Sequence, residues 1–341
     1  MCKALIIVPI VILLSAGCKQ VTGPDTGGFP PEVRIDSAMR TVFVPVPEHP
    51  GEPGDNIIYA AGFALAWDEL SRILGSDPAS VNHLVRRLNA STSHEGALRT
   101  GTYSVEAQVL GEELLVTAFF KKGLPFAVPF ERKPGGMLFG KKAPVHAFGM
   151  PHYKEAMAAQ MQVLYYEDDD KFILRLTAGP DNDQILLAKG FTDGEKLSAM
   201  ETKVNTAVSK GKQELAKGKN TWKYTLGAED DVLIPEIRFH LSCSYHELIN
   251  LPVTVRGQTL RITEAAQRTA FVLDEKGVIL ESEAVVGVDS LSASMEAPPV
   301  KRLHFDKPFL ILMQEQGGKH PYFMMKVANA EWMVKEGGAL R

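Results

Sequence analysis

His240, Cys243 and His246 stand three residues apart, and these types at this spacing could hold a zinc ion. Glu167-Asp168-Asp169-Asp170 offers carboxylates in the number a calcium ion needs. Residues like the first set, placed after a strand, are more often core or surface groups. The acidic run falls at the tip of an expected hairpin, where a solvated surface is its ordinary role. Neither is assigned as a metal site. The chain has no Gly-x-Ser-x-Gly elbow, His-Glu-x-x-His helix, phosphate-binding loop or Cys-x-x-Cys pair, so no enzymatic centre and no cofactor is expected. What remains is a stretch that could be acted upon. Residues 278–299, VILESEAVVGVDSLSASMEAPP, have no aromatic residue and many small ones. Loops longer than about 12–15 residues are uncommon in compact domains and are usually functional or disordered. This one can stay exposed without collapsing, as a bait for another protein.

Strong strand patterns hold that stretch at both ends. Thr269-Ala270-Phe271-Val272-Leu273 reads as a buried strand ending at the turn Asp274-Glu275-Lys276-Gly277. Residues 309–313 and 322–327 read as two strands joined through Gly317-Gly318. Helices are expected over 64–74, stopped by Gly75, over 78–88, and over 195–217. Residues 114–120 form a buried strand, and 162–166 with 171–176 form a hairpin around the acidic run. Helices and strands are segregated, no repeat appears, and the class expected is α+β with large mixed and antiparallel sheets and packed helices.

Several of these segments resemble the serpins, inhibitors that present a reactive-centre loop to serine or cysteine proteases. Ala270 through Gly277 is similar to the family's central strand and the approach to its hinge. Phe305-Asp306-Lys307-Pro308-Phe309-Leu310 resembles the Phe-x-Asp/Asn-Arg/Lys-Pro-Phe-Leu box, and Phe323-Met324-Met325-Lys326-Val327-Ala328-Asn329 the closing strand, with Met325 for the usual Gly and Ala330 for the usual Pro. Fainter echoes follow in order. They are Asn56-Ile57-Ile58-Tyr59 with Ala64-Leu65-Ala66, Phe119-Phe120-Lys121-Lys122-Gly123 with Pro129-Phe130, residues 145–150, and the strand at 234–239.

The resemblance implies a bait loop over about 278–299, a hinge at Glu275, Gly277, Val278 and Leu280, and a reactive bond between Leu291 and Ser292. Met295 is the rival bait residue. Cleavage would release the loop to insert as a new strand into a metastable sheet, carrying an attached protease roughly 45 Å at about 3.3 Å per residue. Counted from Gly277, Val278, Leu280, Ser282 and Ala284 would face inward. The implied target is a chymotrypsin-, elastase- or subtilisin-like serine protease, trapped covalently. The alternative is a non-inhibitory binding module for a protein or ligand on the same scaffold.

The chain also departs from the family. Leu280 is bulky and Glu281 and Glu283 are charged where inhibitory hinges carry small residues. Ala60, Ala61 and Phe63 replace the Ser-Pro-x-Ser stretch, and Gln267 stands near the expected His. Only about forty residues separate the first helix from the strand at 114, so the implied form is trimmed.

Composition adds bounds. With 45% hydrophobic and 23% charged residues and a net charge of −4, a sizeable core is available and nucleic-acid binding is not expected. Cys2, Cys18 and Cys243 make no disulfide framework. Lys3 and the apolar run 4–14 resemble a signal peptide, and Leu14-Ser15-Ala16-Gly17-Cys18 resembles a bacterial lipobox, so Cys18 is expected to carry lipid after residues 1–17 are removed. Residues 18–35 read as a flexible tether and 36–335 as one domain, exported, held to the cell envelope by its lipid, and monomeric.

Overall fold

The computed structural model describes residues 29–98, 104–110, 112–120, 124–178, 183–278 and 299–337. Long apolar runs such as Phe309-Leu310-Ile311-Leu312-Met313 cannot face water on either side, so they fall in the middle of a sheet covered on both faces. That sheet has seven strands: β11 (Met161–Asp168), β12 (Lys171–Ala178), β13 (Asp183–Lys189), β20 (Phe309–Gln314), β21 (Phe323–Val327), β3 (Asn56–Ala60) and β2 (Thr41–Phe43), in that order. All neighbours are antiparallel except β2 and β3. The expected hairpin around the acidic run and the Gly317-Gly318 hairpin are both present.

A six-stranded sheet packs against it, with β1 (Val33–Arg34), β15 (Ile237–Ser244), β17 (Gln258–Leu273), β5 (Glu113–Phe120) and β4 (Ser104–Leu110) in order, and β16 (Pro252–Val255) beside the start of β17. Aromatic rings join the two layers: Phe271 stacks on Phe323 at 4.9 Å between centroids, and Phe239 of the neighbouring strand in its own sheet lies 5.3 Å from Phe271. A third sheet orders β19 (Arg302–His304), β14 (Asp231–Pro235), β10 (Ala147–Met150) and β7 (Glu131–Arg132). Two short pairs complete the strands: β18 (Gly277–Val278) with β6 (Leu124–Pro125), and β8 (Met137–Phe139) with β9 (Ala143–Val145).

Helix α1 (Gly62–Leu74) buries Phe63, Ala66, Trp67 and Leu70 against β4 and β5 and ends on left-handed Gly75, as its spacing predicts. Helix α2 (His83–Ala90) starts five residues later than the expected Pro78, because the Asn82 side chain accepts from the Leu84 and Val85 amides and fixes the first turn there. Helix α3 (Glu155–Ala158) is a single turn, and α4 (Leu197–Ala216) lies over β11 and β21. Gly211 permits that approach, since a Cβ there would fall on the Leu164 carbonyl. Among the described residues no helix is long and apolar enough to cross a membrane. The architecture is the α+β arrangement of large sheets and packed helices that the sequence leads one to expect.

Two expected strands are each broken. The run 234–239 divides at Glu236 into β14 and β15, which belong to different sheets, and 145–150 divides at His146 into β9 and β10. A chain with apolar residues on both sides of one polar residue reads as continuous. Here the polar residue is the corner at which the chain changes sheets.

Candidate functional site

One pairing in the six-stranded sheet stands apart from its neighbours. β15 and β17 are antiparallel, as are β4 and β5, but β17 and β5 run parallel from Arg261 opposite Glu113 to Thr269 opposite Phe120. The ladder shifts register between Ile262 and Glu264. Parallel pairs are slightly less stable per residue than antiparallel ones. A strand that left the end of β17 through a tight turn and ran between the two would be antiparallel to both, so the geometry offers a better-paired arrangement than the one occupied. No slot stands open there, however: β5 and β17 are hydrogen-bonded directly, and an added strand must first part them.

Gln267 sits towards the Thr269 end of this seam, fully buried. Its amide oxygen accepts from the Tyr245 hydroxyl at 2.9 Å, and its nitrogen donates to the Ala60 carbonyl and the Thr269 hydroxyl, each at 3.3 Å. It thereby ties β17 to the end of β3, just ahead of α1. Burial without partners would cost such an amide about 1–3 kcal/mol.

The turn leaving β17 begins the return course. The Asp274 and Gly277 backbones bond each other in both directions at 3.2 Å, and the Asp274 carboxylate accepts from the Lys276 amide at 2.9 Å. Gly277 and Val278 then pair antiparallel with Pro125 and Leu124. Gly277 has φ +122°, and a Cβ would fall on the Leu124 carbonyl and within 2.7 Å of the Phe126 nitrogen. Glycine is required here twice, by the backbone angle and by the close approach.

Charges bracket this turn. Arg238 donates to Asp274 at 2.7 Å and to Glu236 at 2.6 Å, and Arg132 reaches Glu275 at 3.0 Å and Glu236 at 3.4 Å. Burial holds the Asp274 carboxyl above its ordinary range despite the guanidinium beside it.

On the far side of residues 279–298, the chain is caught again at Lys301. Its ammonium, 1% exposed, meets Asp230 at 2.6 Å and the Trp222 carbonyl at 3.0 Å, and its amide donates to the other Asp230 oxygen at 2.7 Å. Arg302 bonds Asp231 at 3.1 Å, and His304 bonds Asp231 at 2.9 Å. β19 then pairs parallel with β14. The Phe305-to-Leu310 box serves this anchor: Asp306 accepts from buried Lys189 at 2.7 Å, and Lys307 meets Asp170 at 2.6 Å.

Of the sequence-derived site residues, Glu275, Gly277 and Val278 come together at the turn. Leu280, Leu291, Ser292, the rival Met295 and the lipidation candidate Cys18 lie outside the described residues. The zinc candidates do not converge. His240 and Cys243 differ by an odd number on one strand and point to opposite faces, His240 towards Glu32 at 3.7 Å. Burial pushes the Cys243 thiol up to about 11, which leaves it inert. The acidic run is already engaged: Asp170 meets Lys189 and Lys307, Glu167 meets Lys171, Asp169 accepts from Tyr166 and the Arg302 amide, and Asp168 accepts from the Asp170 amide. Among the described residues no cluster could hold a metal ion. Sequence reading missed Arg132, Glu236, Arg238 and the Asp230–Lys301 pair. Asp230 and Asp231 follow Glu229 in what reads as a surface run, and nothing local marks one carboxylate as buried.

No family model matches the chain. Among solved structures it is similar to human thyroxine-binding globulin, at 14% identity over 65% of this chain and 58% of that one with a TM-score of 0.40. It is similar to a serpin from the trematode Schistosoma haematobium, at 15% identity over 63% of this chain and 56% of that one, TM-score 0.39. It is also similar to the mouse protein-Z dependent protease inhibitor, at 15% identity over 64% of this chain and 55% of that one, TM-score 0.38. The chain thus spans little more than half the length of each.

Proposed function

We propose that this chain is a trimmed, serpin-like protease inhibitor, not an enzyme, which offers residues 278–299 as bait to a chymotrypsin-, elastase- or subtilisin-like serine protease. The protease cuts after Leu291 and remains esterified to its carbonyl while the freed strand zips between β17 and β5. The reading is carried by one observation, the parallel β17–β5 seam in a region of antiparallel neighbours, with Gly277 and Val278 already turned back beside it. The serpin-like motifs at 270–277 and 305–310 frame both ends of the bait. In the same reading Cys18 carries a lipid that holds the protein, as a monomer, to the outside of a bacterial envelope membrane.

A second reading draws on the closed seam and on Leu280, Glu281 and Glu283. A loop that must part an intact ladder while burying a bulky residue inserts slowly, and a slow insertion lets the acyl-enzyme hydrolyse. The protein would then be a binding module with a cleavable loop. Mixing it with chymotrypsin separates the two. The inhibitor gives an SDS-resistant adduct and, once nicked, unfolds tens of degrees higher. A nicked chain with neither adduct nor stabilisation rejects inhibition.

A further inference from the structure

After β21 the chain does not simply end; it crosses back to the hinge. The Trp332 carbonyl accepts from the Arg238 amide at 2.9 Å, and the Val334 amide donates to the Glu236 carbonyl at 3.0 Å. The Val334 carbonyl accepts from the His146 amide at 2.8 Å, and the Glu336 amide donates to Pro144 at 3.2 Å. Met333 is buried opposite Ile237, and Lys335 lies opposite Val145. Residues 332–336 therefore run as one added strand between two corners, Glu236 and His146, where the chain changes sheets.

Glu236 is the hub of what this strand holds. It is 4% exposed, its amide donates to the His146 carbonyl at 2.9 Å, and its carboxylate meets Arg238, Arg132 and His146. Those two arginines hold Asp274 and Glu275. His146 also faces Glu336 of the tail at 3.4 Å. A continuous path of hydrogen bonds and ion pairs thus runs from the tail through Glu236 to the turn that must open for the bait to move.

We infer that residues 332–336 are a strap that restrains the hinge, so that releasing the tail loosens the Asp274–Gly277 turn. The consequence for insertion rate rests on the inhibitor reading; the coupling itself does not. Val334→Pro removes the amide that donates to Glu236, whereas Val334→Ala keeps it and serves as the control. Amide hydrogen exchange on the full chain reads both ends. In V334P, exchange at Asp274, Gly277, Phe126 and Phe130 rises roughly five- to tenfold, the size expected for one lost backbone bond, while β20 and β21 are unchanged. Should V334P not fold, the H146Q/E336Q variant, which retains every backbone bond, is read in the same way. Exposure of the Glu336 and His146 amides with no change at the hinge overturns the inference. After nicking, the rise in unfolding temperature develops faster in V334P than in the parent. If the nicked parent shows no rise, the inhibitor reading fails, and the exchange data still decide the strap.

Discussion

The two ends of the 279–298 segment, the proposed bait, are held in opposite manners. At the upstream end Gly277 and Val278 make a two-residue strand against another of two residues, at a positive φ that only glycine takes without strain. Its ion pairs are partly exposed, with the Arg132 side chain 49% accessible beside Glu275. At the downstream end a lysine and an aspartate are buried together, and two further residues in succession pair with Asp231. The upstream end is held by the weaker set of contacts and the downstream end by the stronger. A loop that inserts needs this asymmetry, because the new strand must be drawn from the hinge side while the remainder stays on its own sheet.

The asymmetry can be broken most severely downstream. Asp230→Ala strands the Lys301 ammonium in the interior and should cost about 3–5 kcal/mol in urea unfolding. A loss under about 1 kcal/mol would show that the anchor is ornamental. Upstream, Gly277→Val meets both the φ penalty and the Leu124 backbone and should cost about 1–3 kcal/mol, with lost protection at Phe126. An unperturbed G277V would mean that the turn is not constrained by its neighbours. At the seam, Gln267→Leu leaves the Ala60 carbonyl without its side-chain donor and should cost about 1–3 kcal/mol.

The Asp274 carboxyl gives a pH signature. Its folded value is raised by burial above the ordinary 3.8, so between the two values the native state holds more protons than the unfolded chain. Its contribution to stability is therefore fully present below the ordinary value and is lost as pH rises through the raised one. The stability of the parent relative to Asp274→Asn should increase on acidification from about pH 7 to 4, and a flat difference would remove Asp274 from the hinge argument. The smallest effect belongs to Glu275→Gln. Its pair with Arg132 is partly solvated and should contribute less than about 1 kcal/mol, measured by chemical unfolding.

Local pattern was enough for the strands flanking the bait, for α1 with its glycine stop, and for the turn at 274–277. There period, turn residues and length all point one way. It failed where the deciding partner is distant in sequence. Glu236 reads as a solvent-facing residue within one strand, and only the arrival of Arg132, His146 and the tail makes it a buried corner. Lys301 looks like an exposed charge after two prolines until Asp230, seventy-one positions away, takes it inside. The parallel seam was equally hidden, because strand direction in a sheet depends on the whole course of the chain. His240 and Cys243 show the converse: close spacing left a cluster conceivable, and the pleat of β15 takes it apart.

The first strand has a consequence for how the molecule hangs. Val33 lies opposite Leu241 and Arg34 opposite Ser242 in a parallel pair, so the chain ahead of them approaches from the Ile237 end of β15, where Glu32 reaches His240. That is the pole at which the proposed bait leaves β17, since Ile237 pairs with Leu273. Under the proposed lipid anchor, the tether would therefore join the described body at the same pole as the proposed bait.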